Sequence, residues 1–164
     1  MLELFLQDII KNVETAYCKP VYCHIGNSAN ISKELTNLMK ANVKRFPLFA
    51  FMRPFKVIDN GDHYDVTIRR VAIATVTIEK ESELEKIKTN FDLYLRPLES
   101  IFRTLLTEDK RVICGVNGVD YTTEDMPFFN SGSEPMTSEK LDGIVIDNLN
   151  LKLNKVKLNC NLNT

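Results

Sequence analysis

Chemistry in this chain would have to come from its cysteines, histidines and carboxylates, and these form two clusters. The first is Cys18-x4-Cys23-His24. A structural zinc site needs about four nitrogen or sulfur ligands at defined spacing. Cys114, Cys160 or His63 would have to complete it from far along the chain. That spacing is too irregular for a zinc module, so the cysteines read as free thiols made in a reducing cytosol. The second cluster is Asp62-His63-Tyr64-Asp65, an imidazole between carboxylates. A general base also needs a nucleophile and a pocket. With neither in view, His63 reads as part of a hairpin turn. Gly115, Gly118 and Gly132 form neither GxGxxG nor a P-loop, which removes the usual phosphate cradles. No catalytic residue, metal or cofactor is expected, and the chain reads as a non-enzyme.

A third pattern concerns binding. Lys40, Lys44, Arg45, Arg53 and Lys56 are interleaved with Phe46, Phe49, Phe51 and Phe55. Such residues contact phosphates and stack on bases. The phenylalanines, however, alternate with other apolar residues as sheet core does. The net charge of −1 gives no general attraction for DNA or a membrane. Lys40, Lys44 and Arg45 stand as a candidate basic patch.

The elements that would position these groups follow from periodicity. Leu2, Phe5, Leu6, Ile9, Ile10, Val13, Ala16 and Tyr17 recur at three- and four-residue steps, predicting a first helix closed by Pro20. Val21–Ile25 is a short strand. Ser28 or Asn30 caps a short helix carrying Ile31, Leu35, Leu38 and Met39. Phe46–Met52 is a strand buried on both faces or covered by a neighbouring subunit. Pro54 ends it, leaving 53–63 as a loop or hairpin around Asn60-Gly61. Tyr64–Ile78, YDVTIRRVAIATVTI, is the longest strand and pairs antiparallel with the one before it. Its alternation breaks at Arg69-Arg70, which predicts a bulge or a change of buried face.

Glu79–Lys88 is a helical lead-in or a solvated loop. Phe91, Tyr94, Leu95, Leu98, Ile101, Phe102 and Leu105 define a second helix, with Pro97 inside it. The proline predicts a kink, or two helical pieces sharing an apolar face. Arg111–Val116 is a further strand. Residues 117–141 read as an irregular loop. Its apolar residues Tyr121, Met126, Phe128 and Phe129 need a partner or the loop's own core to cover them. Gly143–Leu158 is a closing strand whose buried parity switches twice, with Lys152, Lys155 and Lys157 along its edge.

Together these predict an α+β fold: an antiparallel, bulged and twisted sheet packed on one face by the N-terminal helix and a proline-kinked second helix. A length of 164 residues suits one domain, 1–164, with a C-terminal extension at 159–164. No apolar run approaches the ~20 residues of a membrane span. The opening MLELFLQDII carries acids where a secretory signal is basic.

Three phrases carry a family resemblance. NSANISKELTNLMKANVKRFPLFAFMRPF resembles a segment of tail-completion and head–tail connector proteins of tailed bacteriophages, where a short helix and basic linker lead into an aromatic-Pro-aliphatic strand. TIRRVAIATVTIEKESELEKIKTNFDLYLRPLESIF is similar to the part that follows, an alternating strand and a proline-bearing helix. MPFFNSGSEPMTSEKLDGIVIDNLNLKLN resembles the end, where an aromatic loop feeds an acidic turn and a strand of I-x-I-x-N-L-x-L. The resemblance covers nearly all of residues 1–158 and has the flavour of the neck of short-tailed, crAss-like phages.

It implies a tail-terminator-like fold and a ring subunit, made in the bacterial host cytoplasm and located in the virion neck. The ring would join portal and head to tail and surround the DNA channel. Its partners would be copies of itself, adjacent portal, connector or tail proteins, and channel DNA by passive contact, with no membrane. A dodecamer follows if the portal's symmetry continues; a hexamer is the alternative. Arg53, Phe55, Lys56, Asn60, His63, Tyr121, Met126, Phe128 and Phe129 are the candidate interface. Lys40, Lys44 and Arg45 are the candidate channel-facing patch. The other reading is a monomeric phage-encoded nucleic-acid-binding or assembly accessory protein.

Overall fold

A computed structural model of the chain describes residues 1–31, 33, 37, 46–77, 82–127 and 141–160. Helix α1 (Leu2–Tyr17) forms where the apolar stripe predicts it, burying Phe5, Leu6, Ile9, Ile10 and Val13. It stops before Pro20: Cys18 turns left-handed at φ 57°, and its N–H bonds the Thr15 carbonyl at 3.3 Å. Helical residues resume at 28–31. Asn27, rather than Ser28 or Asn30, caps them, its Oδ1 accepting the Asn30 N–H at 2.8 Å.

Among the described residues five strands make one sheet: β1 (Tyr22–Gly26), β2 (Leu48–Asp59), β3 (His63–Val76), β4 (Thr122–Met126) and β5 (Leu141–Asn154), in the order β1-β2-β3-β5-β4. The fold is α+β, but the sheet is mixed: β1 lies parallel to β2. Residues 27–47 supply the long crossover that a parallel pair requires.

β2 also runs straight past Pro54, where the sequence predicts a break. The register moves from Met52↔Arg70 to Phe55↔Ile68, so Arg53 and Pro54 form a bulge. β1 ends opposite Met52, which leaves Pro54 on a sheet edge where its missing N–H disrupts no ladder. The predicted change of buried face at Arg69-Arg70 is present. Val71 and Ile73 face the same core as Val66 and Ile68, although their parity differs. β5 makes the matching slip, from Ile144 and Ile146 to Leu149, Leu151 and Leu153. Asn148 carries it at φ 55°, and Arg70 Nε bonds Asp147 Oδ1 at 3.0 Å across the step.

The second helical region starts from a capping box. The Ser82 N–H donates to Glu85 Oε2 at 2.8 Å, and Ser82 Oγ accepts the Glu85 N–H at 3.4 Å. α2 (Glu83–Lys86) passes into a π-helical stretch (Ile87–Leu95) and then α3 (Arg96–Glu108). Pro97 is thus met by a change of helix type just before it. The wider π turn relaxes the crowding between a proline ring and the carbonyl four residues back. The apolar face stays continuous: Phe91, Leu95, Leu98, Phe102 and Leu106 are fully buried.

The main core lies between this helix layer and the sheet. Phe102 sits over Phe49 and Phe51, with ring centroids 5.2 and 6.1 Å away. On the other face Leu48, Ala50 and Ala72 pack with Ile31. Phe46–Met52 is therefore apolar because both of its faces are covered within the chain.

Three further expectations are corrected. Residues 111–116 make no strand; Val112 only bridges Leu153, held by Ile113 N–H to the Lys152 carbonyl at 2.7 Å. Residues 117–141 are not wholly irregular, because β4 lies inside them. The last strand ends at Asn154, whose Oδ1 accepts the Lys157 N–H and caps helix α4 (Lys155–Cys160). The second parity switch, Val156 exposed and Leu158 buried, is this helix turning. No helix among the described residues is long and apolar enough to cross a membrane.

Candidate functional site

The β2–β3 hairpin gathers five of the candidate residues: Arg53, Phe55 and Lys56 on the outer strand, Asn60 in the turn, and His63 at the start of β3, opposite Asn154. Its turn is held by its own polar groups. Gly61, at φ 88°, donates its N–H to Asp59 Oδ1 at 2.9 Å. Asn60 Nδ2 bonds Asp65, and Lys155 Nζ bonds Asp59 while lying 4.7 Å from the Tyr64 ring centroid. The Lys155 hydrogen bond holds Asp59 below the usual carboxylate range. His63 Nδ1 meets Asp62, and its Nε2 lies 3.5 Å from Asp65 Oδ1. The hydrogen bond from His63 lowers Asp62 in the same way. No hydroxyl or thiol among the described residues bonds His63, so the cluster braces a turn.

The flank of the hairpin is different. β1 covers β2 only as far as Met52. From Arg53 to Asp59 no described strand lies on the outer side. The Asn60 N–H bonds the His63 carbonyl at 3.0 Å, which sets the alternation: Lys56 and Ile58 bond inward to β3. Phe55, Val57 and Asp59 therefore turn their backbone N–H and C=O outward. Val57 is 50% exposed and Ile58 44%. Phe55 packs partly on the core, with the Arg53 guanidinium 5.4 Å from its ring, and Arg53 pairs with Glu3 of α1. A groove of about 460 Å³ runs beside the edge, lined by Leu2, Glu3, Asn27, Arg53, Phe55 and Val57. Such an edge can accept another strand through backbone bonds, with side-chain contacts in the groove.

The remaining candidates do not join this site. Tyr121 is 7% exposed and belongs to the core, under the Arg103 guanidinium at 4.1 Å. Its placement corrects the expectation that it meets a neighbour, because the chain's own core already covers it. Burial, reinforced by Glu99, raises its phenol pKa. Met126 is half-buried at the end of β4, on the far side of the sheet. Phe128, Phe129, Lys40, Lys44 and Arg45 lie outside the described residues.

Cys18 is exposed beyond α1, whereas Cys23 and His24 are successive residues of β1 and so point to opposite faces. Among the described residues no group of three or more His, Cys, Asp or Glu is placed to hold a metal. Burial pushes the Cys23 thiol up to about 12, which keeps it protonated rather than nucleophilic.

Two polar clusters escape sequence reasoning. Arg111 bonds Asp109 at 2.7 Å and Asp8 at 2.9 Å. Asp142, fully buried, accepts from Thr77 Oγ1 and Asn90 Nδ2, both at 2.7 Å. Arg111 lies 103 residues from Asp8, and Asp142 lies 65 and 52 residues from Thr77 and Asn90, so no local spacing joins these partners. Comparison of the chain with family models, curated proteins and solved structures finds no match.

Proposed function

We propose that this chain is a structural ring subunit of a phage neck, joining head and portal to tail around the DNA channel and making or breaking no covalent bond. The family resemblance of residues 1–158 supplies the virion context. The observation that carries the assembly reading is the edge Arg53–Asp59, on whose outer side no described strand lies, with Val57 and Ile58 exposed on its two faces. Edge strands are normally blunted by charge, proline or a covering element, because open backbone groups recruit other strands. Here the bulge at Arg53-Pro54 takes up only the start of the open stretch, and beyond it Lys56 is the one cation in Phe55–Asp59.

Sedimentation velocity and negative-stain microscopy of the purified chain test this reading. A closed ring is expected, and the polypeptide should be found by mass spectrometry in purified infectious particles. A monomer at every concentration that is also missing from particles would leave the accessory-protein reading in its place.

A further inference from the structure

We infer that the strand which docks on the open β2 edge is β4 of a second copy, so that the sheet continues from subunit to subunit. This rests on the ring reading and specifies its interface. β4 ends the described sheet on the opposite side from β1 and β2, with β5 as its one described strand neighbour. Its sequence, Thr122-Thr123-Glu124-Asp125-Met126, is acidic. The open stretch of β2 begins Arg53-Pro54-Phe55-Lys56 and is basic over those residues. Within the open stretch Arg53 pairs with Glu3 and Asp59 with Lys155, which leaves Lys56 as the charge set against acidic β4.

The faces agree as well. Phe55 and Val57 stand opposite Ile68 and Val66, which point into the helix-side core, so Lys56 projects from the other face. Glu124 stands opposite Val145, between the core-facing Ile144 and Ile146, and so also projects from the face away from the helices. Asp125 projects toward the helices and pairs with Arg96 there. When one sheet runs on into the next with its helix layer on the same side, Lys56 of one copy meets Glu124 of its neighbour on one face. Neither Lys56 nor Glu124 makes an ion pair with another described residue. The five residues of β4 span ~17 Å at ~3.4 Å each, a length that fits within Arg53–Asp59.

Like edges fit less well. β4 against β4 brings the Glu124 side chains of two copies together on one face, and like charges across strands repel. β2 against β4 is a head-to-tail contact between two different patches. Repeated with a rotation that divides a full turn it closes into a ring, whereas an isologous pair stops at a dimer.

The test is sedimentation velocity on the wild type, Lys56→Glu, Glu124→Lys and the double variant, with circular dichroism to confirm that each is folded. Both side chains are exposed, so the monomer fold is expected to be unchanged. Each single variant should raise the concentration needed for assembly at least about tenfold, and the double variant should return to within about threefold of wild type, since it restores the opposite-charge pair. Single variants that assemble like wild type, or a double variant no better than the singles, overturn the β2–β4 assignment while leaving the ring reading standing. A wild type that remains an 18.8 kDa monomer up to the highest concentration overturns the β2–β4 assignment, and absence from particles as well overturns the ring reading.

Discussion

Replacing Arg111 with alanine should be the most damaging single change to a charged residue in this protein. Its guanidinium is 11% exposed and bonds Asp109, itself 12% exposed, at 2.7 Å. It also reaches Asp8 of α1 at 2.9 Å and lies 4.8 Å from the Phe5 ring centroid. One side chain thus ties α1 to the segment after α3. Breaking a buried ion pair from one side costs about 3–5 kcal/mol, chiefly because the other charge is stranded. The residual exposure of Asp109 lets water reach it and moves the figure to about 3 kcal/mol. Asp8 is 58% exposed, so its share is no more than about 1 kcal/mol. At about 2–4 °C per kcal/mol for a domain of this size, Arg111→Ala should lower Tm by about 6–12 °C.

The pH dependence separates this mechanism from simple loss of packing. Burial raises the Asp109 pKa, but the hydrogen bonds and charge of Arg111 outweigh it and hold the carboxyl below its ordinary range. A folded pKa below the unfolded one adds stability above the unfolded value of ~3.9, and that stability is lost as pH falls through the folded value. In Arg111→Ala burial is opposed only by the backbone N–H of residue 111, which still donates to Asp109 Oδ1 at 2.8 Å, so acid relieves the stranded carboxylate. Urea denaturation should therefore show the gap between wild type and variant narrowing from pH 7 toward pH 4. Adding Asp109→Asn to the variant should recover part of the loss. A penalty within ~0.5 kcal/mol of zero, inside the range of ordinary surface substitutions, or one independent of pH, would refute the reasoning.

Other outcomes follow from single positions. Gly118, at φ +76°, would place a Cβ 2.8 Å from Thr107 Cγ2 and Oγ1, and that Oγ1 accepts the Val119 N–H. Gly118→Ala should cost about 2 kcal/mol, and the cost should shrink in a Thr107→Ala background where no clash arises. Asn148→Ala should lose about 1 kcal/mol in denaturation experiments because of its left-handed φ of 55°, whereas Asn148→Gly should be nearly neutral. Under iodoacetamide at pH 8, peptide mass spectrometry should find Cys18 labelled well before Cys23, whose buried thiol is raised to about 12; equal rates would refute the burial argument.

The periodic elements were legible because one residue type repeats along one local geometry. The α1 stripe, the Phe91–Leu105 face and the parity switches at Arg69-Arg70 and after Ile146 all reflect which side chains must leave water, though Leu106 rather than Leu105 is the fully buried one. The failures share a cause of their own. Pro54 reads as a breaker, yet it is tolerated because β1 stops at Met52, a fact about a different strand. β4 is five residues of mostly exposed polar character, so it has no apolar signal and exists because the β5 edge offers backbone partners. Val156 and Leu158 alternate as a strand would, and the Asn154 cap makes them helical. Tyr121 reads as an exposed loop aromatic until the core beneath it is assembled.

By itself, the sequence determined the α+β class, the helix-facing residues and the hairpin around Asn60-Gly61, since each depends on neighbours a few positions apart. Only the tertiary structure decided that β1 runs parallel to β2, that Arg111 and Asp142 are buried and bonded, and that Lys56 and Glu124 lie on opposite outer strands of the described sheet. Those features depend on residues far apart in the chain, and local spacing carries no record of which strand lies beside which.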